Sequence, residues 1–281
     1  MTRRDALKAA FLAPAAAAPA ADSKWPVKTD RHPFGSLKVG MTSYCFREFP
    51  LEPSLKILKR LGAGYVSLKD VHLPLASTKE ERKKAKERID KAGLTLMGCG
   101  VISLKNNEAE IRRALEYVVD VGAPAAVVAP DPPALPLLSK VLQNFDLRVA
   151  IHNHGPEDKK FPAPSDVWDA IQNLDPRIGL CIDVGHTFRT GADPAAAIRK
   201  YASRLYDIHL KDVARDPAAP DAKYKNVALG TGVLDVAACL RALVDIRYAH
   251  HVALEFEADP ENPVAGMAAS FGFIRGFLAA A

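Results

Sequence analysis

Eight times between residues 37 and 279, a short run of apolar and β-branched residues gives way to a longer stretch with apolar residues at helical spacing. No other feature limits the fold as much. The strand-like runs cover 37–46, 64–73, 94–104, 124–130, 147–155, 178–187, 205–213 and 251–259. The helix-like stretches that follow them cover 51–63, 78–93, 107–122, 134–146, 165–175, 193–203, 235–246 and 264–279. Helix starts carry Asp, Ser or Pro and several ends carry Gly, the local chemistry of helix initiation and termination. Alternation of this kind makes successive strands parallel, with the helices as crossovers. Eight regular units without a long insertion predict a single (β/α)8 TIM barrel over residues 37–281. A doubly wound sheet rarely carries eight units of this size.

The chain ahead of residue 37 reads differently. Residues 1–22, MTRRDALKAAFLAPAAAAPAAD, have a charged start, an Ala-rich weakly apolar middle and small residues at a cleavage-like site. That is the layout of an export signal, and the paired arginines resemble the twin-arginine type. The expected address is therefore exported, periplasmic, with residues 23–36 as a Pro-containing linker. No stretch is apolar for long enough to span a membrane. The formal net charge is +5, of which Arg3, Arg4 and Lys8 against Asp5 contribute +2. The densest charge run, KEERKKAKER at 79–88, mixes both signs and reads as a solvated helix face. A nucleic-acid partner is not expected. Cys45, Cys99, Cys181 and Cys239 form no CxxC pair and read as buried free thiols.

In a barrel of parallel strands the chemistry sits at the C-terminal strand ends. Strand five ends His152-Asn153-His154, strand six Asp183-Val184-Gly185-His186, strand seven His209-Leu210-Lys211-Asp212, and strand eight Glu255-Phe256-Glu257. Strand two offers Lys69, with His72 just beyond. Side chains alternate along a strand, so Asp207, His209 and Lys211 share one face, as do Ala253, Glu255 and Glu257, and Cys181 and Asp183. Their neighbours Ile182, Ile208 and Leu254 face the helices. A barrel interior normally takes branched apolar side chains. Here four adjacent strands aim imidazoles, carboxylates and an ammonium inward. Unpaired buried charges cost several kcal/mol each, by rough estimate. A bound divalent ion holds such a set together, and the mix of imidazole and carboxylate suits Mn²⁺, Co²⁺, Mg²⁺, Fe²⁺ or Zn²⁺.

The segments AIHNHG, CIDVGHT, YDIHLKD, LGTGVLD and VALEFEADP resemble the sugar phosphate isomerase/epimerase family with a xylose-isomerase-like TIM barrel, over residues 37–277. The resemblance implies one divalent metal ion held by four strand-end ligands, typically Glu, Asp, His and Glu. Carried onto this chain, the second to fourth are Asp183, His209 and Glu255, and the first position is taken by His152 in place of Glu. It also implies that His186 contacts substrate and that Glu157 is a substrate-binding carboxylate.

That set suits proton removal beside a carbonyl. A divalent ion on vicinal oxygens of a keto-sugar stabilises an enediolate as a Lewis acid. Glu255 is the expected base, with His154 or Lys211 as the partner acid, and Lys69 is an expected substrate contact. A lysine beside a metal is expected to have its ammonium form disfavoured. Returning the proton elsewhere gives isomerisation or epimerisation; expelling a β-oxygen gives elimination, the reverse of hydration. His152 removes one of the two carboxylates that exchange a proton in the family's epimerases. That replacement and the export signal both favour elimination. LGTG at 229–232 reads as a tight turn before a helix rather than a phosphate cradle. The expected partner is a small-molecule sugar, with room for a homo-oligomer. The competing readings are a non-catalytic sugar-binding protein and an endonuclease IV-like nuclease; the latter needs more ligands on the early strands than this chain has.

Overall fold

In the computed structural model, residues 33–218 and 224–280 are described. The expected export signal and the linker as far as residue 32 lie outside them. Eight parallel strands close into a barrel: β1 (Lys38–Thr42), β2 (Tyr65–Leu68), β3 (Thr95–Leu104), β4 (Ala125–Pro130), β5 (Arg148–His152), β6 (Ile178–Asp183), β7 (Leu205–Leu210) and β10 (His251–Leu254), which pairs with β1. The (β/α)8 architecture is the one the alternation predicts. The crossovers are α1 (Leu51–Arg60), α2 (Lys79–Lys91), α3 (Glu108–Asp120), α4 (Leu135–Leu142), α5 (Pro164–Ile171), α7 (Pro194–Lys200) and α8 (Val236–Asp245), with α9 (Val264–Ala280) last. Phe34 is fully buried and meets Phe271 of α9 at 5.8 Å between ring centroids, so the fold begins inside the expected linker.

The main apolar core lies between strands and helices. Inside the barrel, the small set Val127, Ala150 and Cys181 packs with Val101 and Tyr206. Above it the interior turns polar. The run at 79–88 does form a solvated face on α2, opened by a Thr78/Glu81 capping box and carrying Lys86–Asp90 and Lys84–Glu80 pairs.

Several segments depart from the sequence expectation: the strands expected at 64–73, 147–155, 178–187 and 251–259 end early, at Leu68, His152, Asp183 and Leu254. The strand expected to run to residue 46 stops at Thr42, and Ser43–Phe46 turns as a 3₁₀ helix whose Ser43 Oγ accepts the Lys69 N–H at 2.9 Å. Unit seven is not free of insertions either. After β7 the chain forms an antiparallel hairpin from β8 (Asp212–Arg215) and β9 (Tyr224–Val227) before α8. The buried Asp212 carboxylate organises it. That carboxylate accepts N–H groups from Val213, Gly230, Gly232 and Leu234, which also makes LGTG the tight turn expected of it.

Candidate metal centre and active site

Strand register builds the site. Asp183 of β6 lies beside His209 of β7, and His209 lies beside Ala253 of β10, so Glu255 projects one inward step higher. His152 of β5 pairs with Cys181, one inward step below Asp183. β6 ends at Asp183 because its carboxylate caps the next helix at once: Oδ1 accepts the His186 N–H at 2.7 Å and opens α6 (Val184–Arg189). Asn153 ties the ends of β5 and β6 together, accepting the Asp183 N–H at 3.0 Å and donating to Thr187 Oγ1 at 3.2 Å.

One donor atom each from His152, Asp183, His209 and Glu255 falls within 4.8 Å of the others, and all four residues are buried. His152 Nε2 and His209 Nδ1 are 2.9 Å apart, and His209 Nδ1 is 3.0 Å from Glu255 Oε2. Asp183 Oδ2 has no hydrogen-bond partner, although Lys211 Nζ approaches to 3.0 Å. Two facing imidazole nitrogens need a proton or a cation between them, and the Asp183 oxygen beside them has the Lys211 ammonium for company. Two imidazoles and two carboxylates are a suitable donor set for a divalent transition metal. Burial pushes the His152 imidazole well below its usual range, which keeps it neutral with a lone pair to give. Burial also works against a charged His209, but the Glu255 carboxylate outweighs it and raises His209.

Lys211 stands over this set. Its Nζ is 3.0 Å from Asp183 Oδ2, 3.0 Å from Glu255 Oε2 and 2.6 Å from Glu257 Oε1. Burial lowers its pKa, but these three carboxylates overcome that and hold the ammonium well above its usual range. The expectation of a disfavoured ammonium concerns a lysine beside a bound cation; the protein's own anions act on Lys211 in the opposite sense. Burial raises Glu255, yet His209, Lys211 and Lys69 together keep it well below the usual carboxylate range. Its two oxygens differ. Oε2 faces His209 and Lys211, whereas Oε1 has only longer approaches, Thr42 Oγ1 at 3.5 Å and Lys69 Nζ at 3.6 Å.

The remaining expected residues form a rim. The His154 ring lies 4.3 Å from the His152 ring, and its Nδ1 is 3.5 Å from Asp158 Oδ2. The His186 ring is 5.9 Å from both of those rings. Glu157 is 70% exposed and pairs with Arg189. Lys69 lies over the Tyr44 ring and beside Glu255, while His72 turns away to bond the Phe49 carbonyl. Arg189 and Asn153 were not anticipated, although DVGHTFR places an arginine one helical turn after His186 and HNH places an amide between two site histidines.

Residues 55–277 match the sequence model of the family described as xylose isomerase-like TIM barrel. The chain belongs to that family. Among curated proteins, an inosose dehydratase from Clostridium tetani is 25% identical over 142 residues, which cover 45% of this chain and 47% of that one. The rhizopine catabolism protein MocC of Rhizobium meliloti is 26% identical over 136 residues, 44% of this chain and 41% of that one. The chain spans about half the length of the curated relatives it matches. The solved 3-keto-D-glucoside 4-epimerase YcjR from E. coli superposes with a TM-score of 0.69 at 17% identity, over 85% of this chain and 99% of that one. At that identity the likeness is one of fold.

Proposed function

We propose that the protein is a divalent-metal-dependent enzyme that removes a proton beside the carbonyl of a keto-sugar or sugar derivative and completes elimination in preference to epimerisation. The observation that carries this reading is the convergence of His152, Asp183, His209 and Glu255 at the C-terminal mouth of the barrel, beneath Lys211 and Lys69. A divalent ion held by those four residues would supply Lewis acidity toward vicinal substrate oxygens. Glu255 is the base, and Oε1 is the oxygen free enough to take a proton. Lys211 stays an ammonium and is the acid that returns a proton to a departing oxygen, with His154 as the other candidate for that role. His186 and Lys69 hold substrate oxygens, and Glu157 reaches the site through Arg189.

His152 in place of a carboxylate leaves one strong base. Inversion at carbon needs a second acid on the opposite face, whereas elimination needs only an acid near the leaving oxygen. Similarity to proteins named inosose dehydratase supports the same preference. The test is a screen of the purified protein against keto-sugars and 3-keto-glycosides with added Mn²⁺, Co²⁺ or Mg²⁺, products read by NMR. Dehydrated product is the expected outcome. Robust 3-epimerisation of a free ketose without elimination product would reverse the preference, and metal-dependent sugar binding without turnover would favour a binding protein. His152→Glu should shift the balance toward epimerisation. We also read residues 1–22 as a twin-arginine export signal: changing Arg3 and Arg4 together to Lys should retain the protein in the cytoplasm.

A further inference from the structure

Behind His186 lies a chain of groups whose hydrogen-bonding capacity is not symmetric. Arg189 Nη1 is 3.1 Å from His186 Nδ1, and Arg189 Nη2 meets the Glu157 carboxylate. A guanidinium has five N–H donors and no acceptor. The proton in the Arg189–His186 contact therefore belongs to Arg189, and Nδ1 must offer its lone pair. The single proton of the neutral imidazole is left on Nε2.

We infer that Arg189 is a positioning residue that locks His186 as the Nε2–H tautomer, so that His186 offers a substrate oxygen a hydrogen-bond donor and never an acceptor, with Glu157 holding Arg189 in place. Glu157, mostly exposed, then acts through Arg189 rather than by direct contact. A substrate contact from His186 rests on the function proposed above; the tautomer does not.

The test is long-range ¹H–¹⁵N NMR of the metal-free protein labelled at histidine, with His186 assigned by His186→Gln. Wild type should show His186 with Nδ1 unprotonated and Nε2 protonated. Arg189→Met should lose that pattern to averaged signals, Arg189→Lys should restore it by supplying another obligate donor, and Glu157→Gln should weaken it partially. Because Glu157 is exposed, that variant keeps the experiment decisive if Arg189→Met fails to fold. A protonated Nδ1 in wild type, or a pattern untouched by both Arg189→Met and Glu157→Gln, would overturn the inference. Adding a keto-sugar separates the two readings. A locked tautomer whose Nε2–H signal ignores every sugar leaves the tautomer intact and removes the substrate contact.

Discussion

Under the proposed function Glu255 carries the heaviest chemical demand of any side chain in this barrel, as both metal ligand and base. Glu255→Gln keeps the volume and removes the basic oxygen, so proton exchange should fall by roughly 10²–10⁴-fold, read as deuterium uptake from D₂O at the substrate α-carbon. Asp183→Ala and His209→Ala should each abolish binding of about one equivalent of metal while the barrel stays folded; full metal content in both variants would remove the ligand assignment. The raised His209 gives the sign of a pH effect. A proton on His209 competes with the metal, so apparent affinity should weaken as pH falls and recover as it rises, measurable by titration with Mn²⁺ at several pH values. Period-two arithmetic made Asp183, His209 and Lys211 legible, because strand residues two apart must share a face. Arg189 escaped it. Its place depends on β6 ending at Asp183 and a helix starting immediately, which no alternation pattern reveals.

Among the elements, the β8–β9 hairpin, like α6, is one the sequence concealed. Each strand is four residues long, too short for a periodic signal, and the intervening DPAAPDAK reads as plain loop. What fixes the hairpin is one side chain reaching across sequence. Asp212 collects N–H groups from Val213, Gly230, Gly232 and Leu234, three of them from a turn about twenty residues on. Asp212→Ala strands these donors, at about 1–3 kcal/mol for each one left buried without an acceptor, less than additively. The expected result is a marked fall in thermal midpoint with early loss of amide protection in β8, β9 and the 229–234 turn. Protection unchanged in that turn would show that other contacts hold it. The seven crossover helices and α9 were legible for the opposite reason: capping residues and apolar faces are local, and Thr78, Asp193 and Asp235 accept helix N–H groups as their positions suggested.

For the whole molecule, eight repeats of one alternation sufficed to specify closure, although the contact that achieves it, β10 against β1, joins residues more than two hundred positions apart. No helix among the described residues is long and apolar enough to cross a membrane. Closure also explains where the cysteines lie. Cys45 sits at the seam, donating to the Leu254 carbonyl at 3.4 Å and accepting the Phe256 N–H at 3.2 Å; Cys99 and Cys181 belong to β3 and β6, and Cys239 to α8. All four are buried, and burial pushes the Cys45, Cys99 and Cys239 thiols up to about 12 and raises Cys181 well above its usual range. Alkylation proceeds through the thiolate, so the native protein resists it at neutral pH twice over, by access and by protonation. Each thiol then becomes a clock for the opening of its own part of the wall. Pulsed iodoacetamide labelling with peptide mass spectrometry should mark Cys239 on the outer ring first, and Cys45 and Cys181 only as fast as the barrel unzips as a whole. Simultaneous labelling at all four positions would mean that the ring of helices and the cylinder within it come apart in a single event.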